Sequence, residues 1–458
     1  MHKQKGIKKW CILMMMILSV ITSWAQSGTN YPNGINSPFS QYGLGWSNMP
    51  YNMPSATALG GVVYTTANSN TVNPFNPASY GVVNMESFVF DMGLSVEMST
   101  LRNSSKSQFD ADGNLGYITL AFPLTKWWKT ALGIMPYSDI DYQSVYPSQG
   151  PMGEEVKTIY EGQGGVTTLF WGNGFNIIGA NNPQGLQLRA GFNANYLYGT
   201  LVRAIAKDFS ANDTNYFLDS RNQKNTYIKN FTLDFGLQYE QPLGENYRLG
   251  AALTLKPGRT MTVKDNALVY TYVTNAGNEW MRDTIFPANG ESSEYESTLE
   301  QPFTTGIGLS LQRNDKWLVA FDATFSPWSG MKYTENPNVN IFGVSPLRYG
   351  NNSRFALGFQ LLGNKNASSY LRRITYSIGG HYESGRLQLQ VINNSSRQLN
   401  EWGCGFGVAL PMRKGRSVVN IGVGYSSLGT TDLLRRDAFT IGISIGSCES
   451  WFVKRKFN

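Results

Sequence analysis

Hydrophobic and polar positions alternate along most of this chain in segments of about ten residues, separated by turns. The segment at residues 439–446, Phe-Thr-Ile-Gly-Ile-Ser-Ile-Gly, is typical of them. Because successive side chains of a β-strand face opposite ways, each segment has one apolar face and one face of small or polar residues. A soluble sandwich would bury the apolar face against a second sheet. A membrane barrel would turn it to lipid and turn the small, polar face to its lumen.

The number of segments and the connections between them favour the barrel. Turns of two to five residues alternate with connections that are mostly longer, roughly 143–164, 207–224, 265–297 and 328–350. Short periplasmic turns, long external loops and an even number of strands are typical of outer-membrane barrels. Fourteen strands are predicted, at 86–101, 113–125, 129–142, 165–178, 186–206, 225–241, 246–264, 298–313, 316–327, 351–363, 369–384, 396–411, 416–427 and 437–447.

The aromatic residues and the absence of long apolar runs support the same fold. No stretch after residue 25 approaches the roughly 20 apolar residues of a membrane-spanning helix. Trp127, Trp128, Trp317 and Trp451 fall at predicted periplasmic strand ends, where an aromatic girdle is expected. We therefore predict an all-β fold, a 14-stranded antiparallel transmembrane β-barrel over residues 86–448. A periplasmic C-terminal tail over 449–458 would follow it.

The first 25 residues have the pattern of an export signal. Lysines precede a short apolar stretch at 11–21, and Ser23-Trp24-Ala25 offers small residues for cleavage. A buried N-terminal helix is the alternative. We predict a signal peptide over 1–25, cleaved near Ala25. An exported barrel of this kind is expected in the outer membrane of a Gram-negative cell.

Charge and cysteine content exclude some functions. The formal charge is +7 from 38 Lys+Arg and 31 Asp+Glu, and removing the four lysines of residues 1–25 leaves 34 against 31, or +3. No basic stripe with interleaved aromatics is present, so no nucleic-acid partner is predicted. Cys404 and Cys448 fall on opposite faces and toward opposite ends of their strands, so we expect no disulfide between them.

Several charged residues fall at lumen-facing positions of the predicted strands. A charge on the lipid face near the bilayer midplane would cost about 2–4 kcal/mol, which favours the lumen for these side chains. A barrel of this size has a lumen that its own side chains do not fill. The polar lumen residues singled out are Asp91, Arg189, Asp234, Lys256 and Asp322.

The segment over residues 26–85 lacks strand alternation and is rich in Asn, Pro, Gly and Ser. A segment of this length beside a membrane barrel is either disordered or buried in the lumen as a plug. It contains the small-residue stretch 56–61 and ends in a region that includes Asn76-Pro77-Ala78, just before the first strand.

With these residues the chain resembles the FadL/TodX family of outer-membrane transporters of hydrophobic compounds. The Asn76-Pro77-Ala78 motif lies where that family joins an N-terminal hatch to a 14-stranded barrel, and the phrases at 37–45 and 451–457 are similar to family members from Bacteroidota. The resemblance implies that residues 26–85 form a hatch that plugs the lumen. It also implies that Asn76, Pro77 and Ala78 act in gating.

The family also has an inward kink in its third strand, which opens the barrel wall. Gly133 and Pro136 lie within the third predicted strand here. Proline cannot donate to a strand ladder, so Pro136 predicts a bulge or gap in a barrel where every strand has two neighbours. A strand that ends at Met135 and passes into a loop is the alternative. The resemblance favours a lateral opening.

The predicted function is passive uptake of hydrophobic small molecules, long-chain fatty acids or similar, through the hatch and lateral opening. The predicted partners are such a ligand, outer-membrane lipid and other outer-membrane proteins. A structural, accessory barrel subunit of an outer-membrane assembly or secretion complex is the alternative, and a general polar pore is a third reading. No cofactor, metal site or enzyme activity is predicted, because His381 lacks an evident triad partner and Asp139 and Asp141 suit solvation or weak cation binding.

Overall fold

The computed structural model describes most of the chain from Ser37 to Ser450. The predicted signal peptide over 1–25 and the end of the C-terminal tail lie outside the described residues, so neither is tested. The described residues are 37–41, 43–47, 50–150, 153–182, 184–209, 217–275, 278–287, 292–334, 349–364, 366–385, 388–391, 395–412 and 417–450.

Twenty β-strands follow one another along the described chain. They are β1 (Ser87–Arg102), β2 (Ser107–Pro123), β3 (Trp128–Gln149), β4 (Glu155–Ile178), β5 (Gln187–Phe209), β6 (Asp219–Leu243), β7 (Tyr247–Lys256), β8 (Arg259–Asn275), β9 (Asn278–Phe286), β10 (Glu294–Gln301), β11 (Thr304–Arg313), β12 (Trp317–Ser326), β13 (Tyr333–Thr334), β14 (Asn352–Leu361), β15 (Thr375–Ser384), β16 (Gln388–Val391), β17 (Ser395–Gln398), β18 (Glu401–Pro411), β19 (Ser417–Thr430) and β20 (Leu434–Ser450).

These strands make a closed antiparallel barrel of fourteen strands, which confirms the predicted fold. Three of the fourteen barrel strands are interrupted and carry two labels each, as their shared neighbours show: β7 continues as β8, β10 as β11, and β12 as β13. The barrel closes where β20 pairs with β1 from Ser87 opposite Ser450 to Arg102 opposite Arg435. The remaining strands are β9, which pairs with the end of β8, and β16 and β17, which pair with each other. They lie at the end of the barrel that the sequence predicts to be extracellular.

Prolines mark two of the interruptions. Pro257 lies between β7 and β8, and Pro302 lies between β10 and β11. Since proline has no N–H to donate to a ladder, each of these barrel strands is interrupted at the proline and resumes beyond it. The two breaks face each other on adjacent barrel strands, since Lys256 pairs with Thr304 before them and Arg259 pairs with Gln301 beyond them.

The two faces of the wall differ as the alternation predicts. Outward side chains such as Leu94, Val96, Ile441 and Ile443 are exposed, whereas inward Asp91 is fully buried. Trp127 and Trp128 stack with each other and with Phe175 at one end of the barrel. No helix in the described part of the chain is long and apolar enough to cross a membrane.

The strands extend further than the alternation predicts at the end of the barrel that is predicted to be extracellular. Strand β3 ends at Gln149 rather than at residue 142, and β4 begins at Glu155 rather than at residue 165. Beyond the membrane both faces of a strand meet water, so the apolar face that identifies a strand in the sequence is missing. At the C-terminal end of the barrel β20 continues to Ser450, two residues past the predicted end of the barrel at residue 448.

The described residues of the range 37–85 (37–41, 43–47 and 50–85) lie against the inward faces of the strands. The short helix α1 (Pro54–Ala58) contacts β15, β18, β19 and β20, and the 3-10 helix Pro77–Val82 contacts β3 to β6 across the lumen. At both of these helices the backbone of the N-terminal segment closely approaches the backbone of the wall. A Cβ on Gly405 would stand 1.8 Å from Thr57 O, and a Cβ on Gly191 would stand 2.5 Å from Pro77 C. Only glycine in the wall permits this approach.

Candidate functional site

The Asn76-Pro77-Ala78 motif is buried at the start of the 3-10 helix Pro77–Val82. The Asn76 side chain accepts a hydrogen bond from Ala78 N (3.1 Å), as an N-cap does, and donates one to Tyr64 O (2.8 Å). The next turn is fixed by Tyr80, whose hydroxyl donates to Asn193 Oδ1 on β5 (2.9 Å). The motif therefore ties two parts of the N-terminal segment (residues 37–85) to each other and brings both to the wall.

We expect Asn76→Ala to loosen this helix by about 1–2 kcal/mol, because the cap and the bond to Tyr64 O are lost together. Amide hydrogen exchange of residues 77–82 would measure it, with faster exchange expected in the variant. Asn68→Ala is the matched control, because Asn68 lies in the same segment and accepts only one exposed bond, from Asn70 N. Equal exchange in both variants would contradict the prediction.

Two buried carboxylates hold the backbone of the N-terminal segment. Asp322 on β12 accepts from Val63 N (2.6 Å) and from Tyr64 N (2.8 Å) through its Oδ2 atom. Asp91 on β1 accepts from Val72 N (3.3 Å) and from the Tyr117 hydroxyl (3.0 Å). Charge-assisted bonds of this kind are stronger than neutral ones. Both carboxylates therefore act as anchors of the segment.

The other three predicted lumen residues form ion pairs within the wall. Arg189 Nη1 donates to Glu240 Oε1 (2.6 Å), and Lys256 Nζ lies 3.7 Å from Asp234 Oδ2. Asp234 also accepts from Asn195 Nδ2 at 3.0 Å. Among the residues singled out from the sequence, the structure thus brings Asp234 and Lys256 together, while Arg189 lies apart with Glu240.

Two further residues of the site were not singled out from the sequence. Arg354 on β14 is buried and donates to Gly61 O (2.6 Å) and to the Tyr51 hydroxyl (3.0 Å). Arg203 on β5 donates to Gln41 O (3.1 Å) and to Gly43 O (2.5 Å). Arg354 has lumen parity between the outward Ser353 and Phe355, and that signal would have found it.

The barrel wall has a lateral gap between β2 and β3. The ladder between these strands runs only from Pro123 opposite Lys129 to Ile118 opposite Ile134. Beyond it β2 continues to Ser107 paired with β1, and β3 continues to Gln149 paired with β4. We define the lateral gap as the space between residues 107–117 of β2 and residues 135–149 of β3.

Gly133 and Pro136 flank the point at which the ladder ends. Gly133 still pairs with Thr119 on β2, whereas Pro136 pairs with Thr167 on β4 alone. The register with β4 shifts between Pro136 and Ser138, which is a β-bulge. Strand β3 therefore does not end at Met135, so the alternative of a strand passing into a loop is wrong.

The N-terminal segment lies along the edge of β3 that the gap exposes. Trp46 and Asp139 exchange both backbone hydrogen bonds at 2.8 Å, Ser37 N donates to Asp141 O at 2.8 Å, and the Ser138 hydroxyl donates to Leu44 O at 2.5 Å. The segment thus provides β3 with pairing that β2 does not give. It covers the gap from the lumen side.

A cavity of about 270 Å³ lies inside the barrel behind this covering. Its apolar lining includes Leu44, Phe75, Met261 and Leu299. Its charged lining consists of Lys256, Glu300, Arg354, Glu383 and Glu401. Leu44 is also one of the residues that cover the gap. The cavity and the gap are therefore separated by a thin layer formed by the N-terminal segment.

The remaining titratable residues of the described ranges do not form a recognisable catalytic or metal centre. His381 Nε2 lies 3.6 Å from Glu401 Oε1, and its ring lies 4.6 Å from the Tyr51 ring. The nearby Ser377 hydroxyl accepts from Gln360. Among the described residues, no group of three or more His, Cys, Asp or Glu side chains is placed to hold a metal ion.

Comparison with known proteins gives one sequence family and a group of solved structures. The BamG family model matches residues 6–458. The toluene transporter TodX of Pseudomonas putida has a TM-score of 0.52 at 14% identity, over 86% of this chain and 97% of that chain. The toluene transporter TbuX of Ralstonia pickettii has a TM-score of 0.50 at 14% identity, over 86% and 97%. This likeness is one of fold, and no curated protein matches the sequence.

Proposed function

Because this chain belongs to the BamG family and has a barrel of the FadL/TodX type, we propose that it is an outer-membrane protein that passes hydrophobic small molecules through the lateral gap. The observation that carries the proposal is the early end of the β2–β3 ladder, next to a cavity with a largely apolar lining. A hydrophobic molecule would enter from the extracellular side, occupy the cavity and leave sideways, down its own concentration gradient. Long-chain fatty acids are the proposed substrate class.

In this mechanism the N-terminal segment is the gate. Its backbone bonds at Trp46 and Asp139 close the gap, and the bonds to Asp322, Asp91 and Arg354 hold the rest of the segment against the wall. Movement of residues 43–47 away from β3 would join the cavity to the gap. The Asn76-Pro77-Ala78 motif lies against β4, β5 and β6 and would hold its own end of the segment in place.

We expect Pro136→Val to lower passage of a hydrophobic probe several-fold. Valine restores a backbone N–H and suits a strand, so the β2–β3 ladder extends past Ile134 and narrows the gap. Uptake of oleate and of toluene by cells carrying the variant would measure it. Pro242→Val is the control, because Pro242 lies at the end of β6 in a ladder that is already complete. Unchanged uptake in the Pro136 variant would argue against a lateral exit.

A structural role as an accessory barrel subunit of an outer-membrane assembly complex is the second candidate. Two observations favour it: the buried polar bonds that fix the N-terminal segment, and the fact that the sequence matches the BamG family while the transporters match in fold alone. A barrel with a fixed plug can support partner proteins without passing any solute.

Mass spectrometry of the protein purified gently from native membranes separates the two candidates. A near-stoichiometric acyl ligand without a partner chain would support passage of hydrophobic molecules. A barrel without ligand that brings the same outer-membrane proteins in every preparation would support the accessory role. The Pro136→Val variant sharpens the comparison, since it should alter the bound ligand and leave the bound proteins unchanged.

A further inference from the structure

Polar side chains form a cluster on the outer surface of β1, β19 and β20, directly above the apolar band. The cluster consists of Arg102, Arg435, Asp437 and Tyr425, and we call it the rim cluster. Outward residues of these strands are apolar up to Met98, which pairs with Phe439. The next outward pairs are Thr100 with Asp437 and Arg102 with Arg435.

One carboxylate holds both guanidinium groups of the rim cluster. Asp437 accepts from Arg102 Nε (2.9 Å) and Nη2, from Arg435 Nε and Nη2 (both 2.9 Å), and from the Tyr425 hydroxyl (2.9 Å). Its side chain is only 8% exposed, whereas those of Arg102 and Arg435 are 45% and 31% exposed. The buried carboxylate therefore fixes two guanidinium groups whose other edges face the surroundings of the barrel.

The donors of this cluster exceed its acceptors. A guanidinium has five N–H donors, and the bonds to Asp437 use two of them on each arginine. Arg435 Nε is also shared with the Ser427 hydroxyl (3.0 Å). Arg435 also has a side-chain hydrogen bond with Tyr425. Donors that no residue of the cluster uses are left for a ligand, with more of them on Arg102 than on Arg435. One carboxylate against two guanidinium groups leaves the rim cluster with a charge of +1. Arg436 does not add to this charge, because it pairs with Glu97 on the lumen side. Lys106 and Asp432, which are exposed in the turns that follow β1 and β19, have opposite charges.

The height of the cluster points to the kind of ligand. Arg102 lies four residues beyond Met98, and a rise of about 3.4 Å per residue on a strand tilted by about 40° puts it roughly 10 Å above the apolar band. Lipid headgroups occupy this level. Beside it the Trp402 and Tyr425 rings pack edge to face at 5.5 Å, as interfacial aromatics do.

We propose that the rim cluster binds a phosphate group of an outer-leaflet glycolipid. Two guanidinium groups fixed side by side match the oxygens of a phosphate, which arginine recognises through paired hydrogen bonds. Phosphate also supplies the negative charge that the cluster lacks. The site is independent of the lateral gap, which lies on the other edge of β2, and does not depend on what the barrel passes.

The test uses the full-length barrel in detergent and titrates it with bisphosphorylated lipid A, with the same lipid after both phosphates have been removed, and with inorganic phosphate. We expect Arg102→Gln combined with Arg435→Gln to weaken binding of bisphosphorylated lipid A about tenfold or more, because several charge-assisted hydrogen bonds are lost. The dephosphorylated lipid should bind weakly to both proteins. Lys229→Gln, an exposed lysine on the outer face of β6, is the control and should bind like the parent protein.

A second variant separates a built site from general attraction by positive charge. Asp437→Asn makes the cluster more positive, so simple attraction predicts tighter binding, whereas loss of the carboxylate that orients both arginines predicts weaker binding. Weaker binding supports the proposal. Tighter binding, unchanged binding in the double arginine variant, or binding of inorganic phosphate without binding of lipid A would overturn it. The heat-dependent gel mobility of each variant confirms that the barrel is folded.

Discussion

Replacing Asp322 with alanine is expected to release the middle of the N-terminal segment from the wall. The carboxylate is almost fully buried and accepts from the backbone N–H groups of Val63 and Tyr64. Each buried N–H left without an acceptor costs about 1–3 kcal/mol, so the two together cost roughly 2–6 kcal/mol. The barrel strands keep their own ladders, so the loss is expected to appear as local opening of the segment and not as unfolding of the barrel.

Amide hydrogen exchange at Val63 and Tyr64 would measure the opening, with rates expected to rise by a factor of a hundred or more for about 3 kcal/mol. Asp315→Ala is the matched control, since Asp315 lies in the exposed turn just before β12. Asp322→Asn tests the cause, because an amide oxygen still accepts both bonds without the charge and should give an intermediate rate. Protection equal to that of the parent protein in Asp322→Ala would show that Asp322 is not an anchor.

Much of this fold could be predicted from the sequence because the membrane imposes a strict rule on it. Within the bilayer every second residue of a strand faces lipid, so alternation identifies the strand, and its parity identifies the inward side. That rule predicts Asp91 and Asp322 as inward residues before any contact is known. It fails above the bilayer, which is why the extracellular halves of β3 and β4 and the hairpin of β16 and β17 were not predicted.

The covering of the lateral gap could not be predicted in the same way. Pro136 signals that the ladder is disturbed, and the family resemblance favours an opening, but neither shows what replaces β2 along the edge of β3. In the structure Trp46 pairs with Asp139 at this edge, although the two residues are 93 positions apart in the sequence. The segment around Trp46 has no alternation, because only a single pair of its residues joins the sheet. Contacts of this kind depend on the tertiary arrangement and leave no periodic pattern.

Gly45 is the residue that permits this single pair. Its φ of +95° lies in a region that side chains with a Cβ rarely adopt, and a Cβ there would stand 2.3 Å from Asp139 O and 2.8 Å from Ile140 Cγ1. Glycine lets the backbone of the segment turn while it touches β3. The residue that precedes Trp46 therefore decides whether the gap is covered.

We expect Gly45→Ala to displace residues 43–47 from β3 and uncover the gap. The added methyl group cannot coexist with the two backbone bonds between Trp46 and Asp139, and losing both costs about 1–3 kcal/mol. Hydrogen exchange at the Asp139 amide would report the displacement as faster exchange. Gly244→Ala is the control for backbone strain, because Gly244 also has a positive φ, +64°, but has no atom within 4 Å of its Cβ position.

The same variant separates a gate from a passive covering. If the covering at Trp46 limits passage, Gly45→Ala raises oleate uptake several-fold, whereas Pro136→Val lowers it, and the variant carrying both changes resembles Pro136→Val because the ladder is then closed by β2 itself. Faster exchange at Asp139 with unchanged oleate uptake would separate the two effects: the segment would be displaced, yet the gap would not be the exit. In that case the contacts at Trp46 serve to complete the edge of β3, and the accessory role becomes the better account of the barrel.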